Sequence, residues 1–270
     1  MKIAILTDTH IVEPGATVRG IDPVARLDRC VAAIQRLVAD ADFCVLMGDN
    51  VDNGREAEYQ TLLGCLKPLQ MPVRFLAGNH DDREALLKAV PALEQDDNGY
   101  IQYALETDTE VFLFLDTVKA GEHYGDYGDD KLSWLERKLK DAGQKPVYMF
   151  MHHPPFQTGF WNDHSMVRNA DRFLDLLSAA GNVRHLFLGH THRASSGSWK
   201  GITWTTMHGT CYENDFELLP AKPNYRGGPS QVGILLVKGE EAVLHYHDAL
   251  ETHPLIAYSG KSLREPQPVA

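Results

Sequence analysis

Apolar residues along this chain gather into short runs, most of them continuous rather than alternating. Such runs predict strands over residues 3–7, 43–47, 73–77, 101–105, 111–115, 147–151 and 185–188, because a strand covered on both faces needs no polar alternation. Helical signals lie between many of them, over 22–39, 56–66, 82–89, 130–141 and 169–180. The first of these opens on Asp22-Pro23, an acidic N-cap with proline at the first helical position. Gly143 and Gly181 stand where the last two should end. Strands alternating with helices predict an α/β fold. Further on the pattern changes. Strands predicted over 202–207, 232–237 and 242–247 follow one another without helices. The stretch 213–230 holds Pro220, Pro223, Gly227, Gly228 and Pro229, and reads as a lid, a binding loop or a contact surface. Residues 254–270 lack periodicity and read as a tail, and the chain contains no internal repeat.

Composition narrows the class. The chain has 270 residues, 43% hydrophobic and 23% charged, enough for one large domain or two small ones. A net charge of −11 argues against a nucleic-acid polymer or an anionic membrane surface as partner. No apolar run approaches the length of a membrane span. The first run is too short for a secretory signal. Cys30, Cys44, Cys65 and Cys211 are scattered, with no C-x-x-C pair. A reduced, cytoplasmic setting is therefore expected. Thirteen histidines are more than a chain of this size usually carries.

The informative polar residues stand where strands end. Five strand–loop junctions each deliver aspartate, asparagine or histidine: Asp8-Thr9-His10, Gly48-Asp49-Asn50, Gly78-Asn79-His80-Asp81-Asp82, His152-His153-Pro154-Pro155 and Gly189-His190-Thr191-His192. Carboxyl ends of strands in open α/β sheets are where ligand sites form. Imidazole, carboxylate and amide groups together suit a pair of divalent ions such as Zn, Fe, Mn or Co. In D-x-H and H-x-H, alternate residues of an extended segment face one side and can reach one site. Gly48, Gly78 and Gly189 permit tight turns and close backbone approach. Each piece has a bland reading: a turn at Gly48-Asp49, a helix cap at Asp81 or Asp82, solvent-facing rings at His152-His153. Five in this order, each after an apolar strand, do not fit chance.

The remaining residues get more modest readings. His123, His164, His185 and His253 are expected at the surface or in the core, and His245 and His247 on one face of a terminal strand. His208 is a candidate for facing the substrate. Tyr124, Tyr127, Phe156, Phe160, Trp161 and Tyr212 could wall a pocket, or pack in a core or interface. Neither a G-x-S-x-G elbow nor a Walker loop is present.

The ordered set D-x-H, G-D, G-N-H-D, H-H-P-P and G-H-T-H, spread over about residues 1–210, resembles the calcineurin-like metallophosphoesterase superfamily. Within it, the opening D-T-H, the G-R-E-A-E-Y after the second motif, G-N-H-D-D and F-M-H-H-P-P look most like the bacterial class III cyclic nucleotide phosphodiesterase and glycerophosphodiesterase group. The resemblance implies a four-layer αββα sandwich with a dinuclear metal site at the sheet edge. It implies that Asp8, His10 and His192 hold one metal ion, that Asn79, His152 and His190 hold the other, and that Asp49 bridges them. His80 is similar to the family's catalytic histidine. His152 aligns with the family ligand, which leaves His153 behind the ligands or in the core.

The implied enzyme is a metal-dependent phosphodiesterase. It would hydrolyse small diesters, cyclic nucleotides such as cAMP or glycerophosphodiesters, by attack of a metal-bound hydroxide with His80 assisting. Two divalent ions per chain (Mn, Fe, Zn or Co) are the expected cofactors. Their charge would offset Asp8, Asp49 and the hydroxide, leaving a slightly positive site suited to a singly charged diester. The same site could serve a phosphomonoester, a nucleotide pyrophosphate or a phosphonate monoester. A non-catalytic binding module is disfavoured, since every ligand position is filled. Residues 1–210 are expected to form the catalytic domain. Residues 211–270 would supply strands, a cap or dimer-contact loop and the tail, as part of that domain or a small extension. A homo-oligomer, dimer or higher, is expected. Specificity should come from residues 11–21, 124–130, 156–167 and 212–230.

Overall fold

The continuous apolar runs become strands of two facing sheets in the computed structural model, which describes residues 1–254. In the first sheet β1 (Lys2–Leu6), β2 (Phe43–Met47) and β3 (Val73–Leu76) run parallel. The order in this sheet is β13-β12-β1-β2-β3, with β12 (Gln231–Lys238) antiparallel to β1 and β13 (Glu241–Asp248) at the edge. Residues far along the chain thus complete the sheet that its first residues begin.

The second sheet has the order β4-β5-β6-β7-β9-β8. Its strands are β4 (Tyr103–Glu106), β5 (Val111–Leu115), β6 (Val147–Met151), β7 (Val183–Leu188), β8 (Ser195–Trp199) and β9 (Ile202–Thr206). A ribbon of β10 (Glu213–Asn214) and β11 (Tyr225–Arg226) stands apart from both sheets.

Strand periodicity builds the layers. Phe112 and Phe114 of β5 point into a core shared with β1, β2 and β12, whereas Val111, Leu113 and Leu115 point the other way. Across the inner face Tyr103, Phe114, Phe150 and Phe187 stack in a ladder with centroids 4.6, 5.3 and 4.9 Å apart. Helices α1 (Pro23–Val38), α2 (Glu56–Leu66) and α3 (Arg83–Ala89) cover the first sheet through Leu27, Ile34, Tyr59, Leu62 and Leu86. Helices α4 (Asp129–Ala142) and α5 (Asp171–Ala180) cover the second through Trp134, Leu135, Phe173 and Leu177. The result is the four-layer αββα sandwich. Among the described residues, no helix is long and apolar enough to cross a membrane.

Local chemistry accounts for the main departures from expectation. Asp22 caps α1 as expected, accepting from Ala25 N at 3.0 Å. The fourth strand starts later than predicted, at Tyr103, because Ile101 N donates to the Asp116 carboxylate instead of to a ladder. Strand β8, Ser-Ser-Gly-Ser-Trp, was invisible to an apolar-run criterion because it is a polar edge strand paired only with β9. The short 3-10 helix Trp161–Ser165 and the β10–β11 ribbon fall in segments read as loops. The tail read over 254–270 lies, beyond Pro254, outside the described residues.

His185 shows what burial does to an imidazole. Its ring stacks on Phe187 at 4.1 Å and meets Thr205 at 3.0 Å, and burial pushes its pKa down to about 4. The folded state therefore keeps His185 neutral while the unfolded chain takes up the proton, so stability is lost as pH falls from about 6.5 towards 4. His185→Gln should lose about 1–2 kcal/mol less stability than the parent between neutral pH and pH 5. Urea midpoints at the two pH values measure this, and equal losses in both proteins would refute it.

Candidate metal centre

The loops after β1 and β2 are laced together before any side chain is considered. Asp8 N donates to Gly48 O at 3.1 Å, His10 N to Asp49 O at 2.9 Å and Ile11 N to Asn50 O at 3.1 Å. The turns are sharp enough to force left-handed backbone on residues with side chains: Asp8 (φ 52°), His10 (44°), Asp49 (49°), His190 (66°) and His192 (49°). Aspartate and histidine tolerate that region better than most residues, yet each such residue costs on the order of 1 kcal/mol or more. Strain concentrated on these five residues aims them into one cleft. Two glycines make room. A Cβ on Gly78 would lie 2.3 Å from Asp49 Oδ1, and one on Gly48 would lie 2.6 Å from His152 Nδ1.

All the residues singled out at the strand ends come together. Ligand atoms of Asp8, His10, Asp49 and His192 lie within 4.8 Å of one another, with His192 Nε2 3.2 Å from Asp8 Oδ1 and His10 Nε2 3.7 Å from Asp49 Oδ2. The other Asp49 oxygen, Oδ1, is 3.4 Å from His152 Nε2, which is 3.3 Å from His190 Nδ1. Asn79 Oδ1 is buried and has no hydrogen-bond partner. Asp49 therefore offers one oxygen to each of two donor clusters. His153 stands close to the second: one of its ring nitrogens groups with those of His152 and His190, and its buried Nε2 has no hydrogen-bond partner. Its Nδ1, however, pairs with Thr117 Oγ1 at 2.8 Å.

Each ring is anchored by its far nitrogen. His152 Nδ1 donates to Met47 O at 2.9 Å, and His192 Nδ1 to Tyr212 O at 3.0 Å. His10 Nδ1 meets Asp52 Oδ1 at 3.0 Å, and His190 Nε2 meets Ser165 Oγ at 2.8 Å. A carbonyl oxygen can only accept, so His152 and His192 carry their hydrogens on Nδ1 and turn the Nε2 lone pairs into the cleft. That is how protein scaffolds orient metal-binding imidazoles. His10 Nε2 and His192 Nε2 are 3.1 Å apart, and the lone pairs so aligned need a proton or a cation between them. With the orphaned Asn79 oxygen, this donor set fits a pair of divalent cations.

The electrostatics point the same way. Burial alone would raise the Asp8 and Asp49 carboxyls, but the surrounding histidines, His192 for Asp8 and His152 for Asp49, hold both below the usual range. Burial would likewise strip His152 of charge, yet the Asp49 carboxylate dominates and pushes its pKa up to about 9. Two buried carboxylates thus draw a proton onto a buried ring. A divalent cation meets the same demand for positive charge. At His153 and His190, burial and the neighbouring histidines outweigh Asp49 and drive the rings well below the ordinary histidine value.

His80 stands at the rim, its side chain 31% exposed. Its Nδ1 donates to Asp52 O at 2.8 Å, which leaves Nε2 as the reactive nitrogen. Burial opposes its charge, but Asp49 and Asp52 outweigh burial and raise its pKa.

Of two supporting carboxylates, Asp52 has no place in the sequence reading, and Asp81 has one only as a possible helix cap. Asp52 holds His10 with its side chain and His80 with its carbonyl. Asp81 is buried and accepts from Gly78 N, Asn50 N, Asn50 Nδ2 and the Tyr59 hydroxyl at 2.8–3.1 Å, tying the second and third loops together. Burial and the Asp49 charge push its pKa up to about 6. The helix cap is Asp82, which accepts from Ala85 N at 2.8 Å. The available signal was position: each supporting carboxylate lies within three residues of a motif ligand.

Above the clusters opens a cleft of about 540 Å³, walled in part by Arg19, His123, Tyr124, Trp161, Tyr212 and Tyr225. His123 and His164 line it as exposed residues, in keeping with the expected surface position, and belong to neither donor cluster. Tyr127 and Phe160 are buried, and Phe156 packs on Trp204, so these three serve the core. His208 is not in the cleft wall and lies 2.9 Å from Glu213 Oε2.

The pattern of the family described as calcineurin-like phosphoesterase matches residues 1–194. A Rhodopseudomonas palustris protein named a probable cyclic nucleotide phosphodiesterase is 33% identical over 263 residues, 95% of this chain and 96% of that one. A glycerophosphodiester phosphodiesterase of Enterobacter lignolyticus is 31% identical over 258 residues, 91% of this chain and 92% of that one. A dimetal phosphatase from Danio rerio shares the fold, with a TM-score of 0.66 at 16% identity over 90% of this chain and 98% of that one.

Proposed function

This chain belongs to the calcineurin-like phosphoesterase family, and we propose that it is a metal-dependent phosphodiesterase acting on small diesters, cyclic nucleotides or glycerophosphodiesters. One observation carries the reading: two donor clusters share Asp49 at the floor of a cleft of about 540 Å³. That volume suits a small molecule rather than a polymer. The names of the two relatives support the diester.

Asp8, His10 and His192 would hold one divalent ion and Asn79, His152 and His190 the other, with Asp49 between them. Bound there, the ions would supply an activated water nucleophile and offset charge gathering on the phosphoryl oxygens. The chain's own groups do the rest. Met47 O, Tyr212 O, Asp52 and Ser165 fix the ring orientations. The Asp52 carbonyl fixes the His80 tautomer, so that Nε2 presents a proton to the departing alkoxide. The loop-borne rings, Tyr124, Trp161 and Tyr212, give the ester arms an apolar wall.

Residues 1–210 form the catalytic domain in this reading. The segment after them belongs to the same domain, since β12 pairs with β1 and Tyr212, Asn214 and Tyr225 line the cleft. Phe216, Leu218 and Leu219, exposed at 62–74% on the same segment, support a homo-oligomer contact there. The reading includes a cytoplasmic setting, to which four buried free cysteines are suited.

A substrate panel tests the function. With Mn²⁺, Co²⁺ or Zn²⁺, a bis-aryl phosphodiester and at least one cyclic AMP isomer should be cleaved with higher kcat/KM than an aryl monoester or a phosphonate monoester. A preference for the monoester would overturn the proposal.

A further inference from the structure

Arg19 is a poor choice for the place it occupies. Val18 N and O pair with Ile21 O and N, both at 2.9 Å, enclosing a two-residue turn. Arg19 and Gly20 form that turn with φ of 52° and 78°. Two successive left-handed residues make the hairpin turn that favours Asn-Gly, and arginine gains nothing from its backbone there. Val18 and Ile21 are pinned against Val12, Cys211 and Tyr212, so the turn is held in place. An unfavourable conformation kept by its surroundings points to a use for the side chain.

That side chain reaches over the cleft. Its guanidinium lies 3.5 Å from the centroid of Tyr225 and 4.8 Å from that of Tyr212, and its polar neighbour is the Tyr212 hydroxyl. Tyr212 in turn stacks on His192 at 4.2 Å and lies tilted against His10 at 5.1 Å, so Arg19 stands one ring beyond the first donor cluster. Two nearby arginines are neutralised: Arg193 pairs with Glu213, and Arg226 with Asp215, while Arg168 stacks on Tyr124 at 3.5 Å. Among the described residues no carboxylate pairs with Arg19. Stacking fixes the plane of a guanidinium and leaves its edge free for a planar oxyanion.

We propose that Arg19 is a specificity-determining residue that binds a second oxyanion, a carboxylate or phosphate on an ester arm of the substrate. This deepens the phosphodiesterase reading and rests on it. The preferred substrates are then small diesters that carry one negative group besides the scissile phosphate. A neutral arm meets only the tyrosine rings, whereas an anionic arm gains a charge-assisted contact, expected to favour binding about tenfold or more. Because Arg19 is exposed at the rim, salt should weaken that preference.

The test uses Mn²⁺-loaded His80→Ala protein, so that binding is read without turnover, by calorimetry. The probes are methyl propyl phosphate, methyl 2-carboxyethyl phosphate and the analogue whose arm ends in a phosphate. The anionic-arm diesters should bind about tenfold or more tightly than the neutral one. Adding Arg19→Asn should collapse that ratio towards one, while thermal unfolding shows a folded protein, since asparagine suits the turn. The ratio between the two anionic probes tells which oxyanion is preferred. Equal binding of all three probes, or an Arg19→Asn loss shared equally among them, would overturn the proposal. Failure of the phosphodiesterase reading shows elsewhere, as an absence of diester cleavage by the protein with His80 intact.

Discussion

Replacing His80 by alanine should cost on the order of 10²–10⁴ in turnover while two divalent ions stay bound. The Asp52 carbonyl takes the Nδ1 hydrogen, so only Nε2 can give a proton to a departing oxygen. Asp49 and Asp52 raise the pKa against the burial that opposes it, which favours the protonated ring. The ring meets the first cluster only edge-on at His10, 4.7 Å between centroids, while its backbone N–H donates to Asp49 Oδ1 at 2.9 Å, a bond that alanine retains. Proton donation also sets how the loss is distributed. A p-nitrophenolate leaves readily without a proton, whereas an alkoxide does not. The penalty should therefore be far larger for a diester with an alkyl leaving group than for the bis-aryl diester. Steady-state kinetics on that pair, with metal analysis of the same sample, measures both halves. Equal losses for the two leaving groups would rule out proton donation by His80.

Asp49→Ala should lose the ions themselves. Asp49 turns one oxygen to each donor cluster, 3.7 Å from His10 Nε2 and 3.4 Å from His152 Nε2, so its removal weakens both at once. Groups that merely orient a metal ligand already contribute 10–100-fold in affinity, so a shared ligand should cost on the order of 10²-fold or more. The Asp49 charge is also the main force pushing the His152 pKa up to about 9. Without it His152 should become an ordinary buried, neutral ring. Two measurements follow: the metal content of the purified variant, and its Tm with and without added Mn²⁺. The parent should gain stability from the ion by mass action and the variant should not. Two ions retained in Asp49→Ala would sink the bridging assignment.

Much of this was legible in the chain because two simple signals coincide. A strand buried on both faces must be apolar throughout, so Phe43–Met47, Val111–Leu115 and Val147–Met151 announce themselves, and a polar cluster just after such a run stands out. The glycines mark backbone approaches that leave no room for a Cβ, as Gly78 against Asp49 shows. By the same logic β8 stayed hidden, because an edge strand of serines carries no apolar signal. The 213–230 segment reads as a loop in the sequence because the pairing of Glu213 with Arg226 is set by contacts rather than by any run of residues.

The divide falls between what neighbours along the chain can express and what only folding brings together. Residue type and spacing alone marked the donors at the strand ends and the alternation that makes an α/β fold, because both are local consequences of strand periodicity and turn sterics. Which oxygen of Asp49 faces which cluster was decided by the tertiary structure. So was the role of Asp52, holding two histidines from its side chain and its carbonyl at once. So was that of Asp81, which joins two loops: its partners Asn50 and Tyr59 lie 31 and 22 residues away along the chain. Arg19 reaches Tyr212 and Tyr225 across about two hundred residues for the same reason. Hydrogen bonds and ring contacts act over a few ångströms of space, and a one-dimensional pattern records such distances only where the chain itself is short.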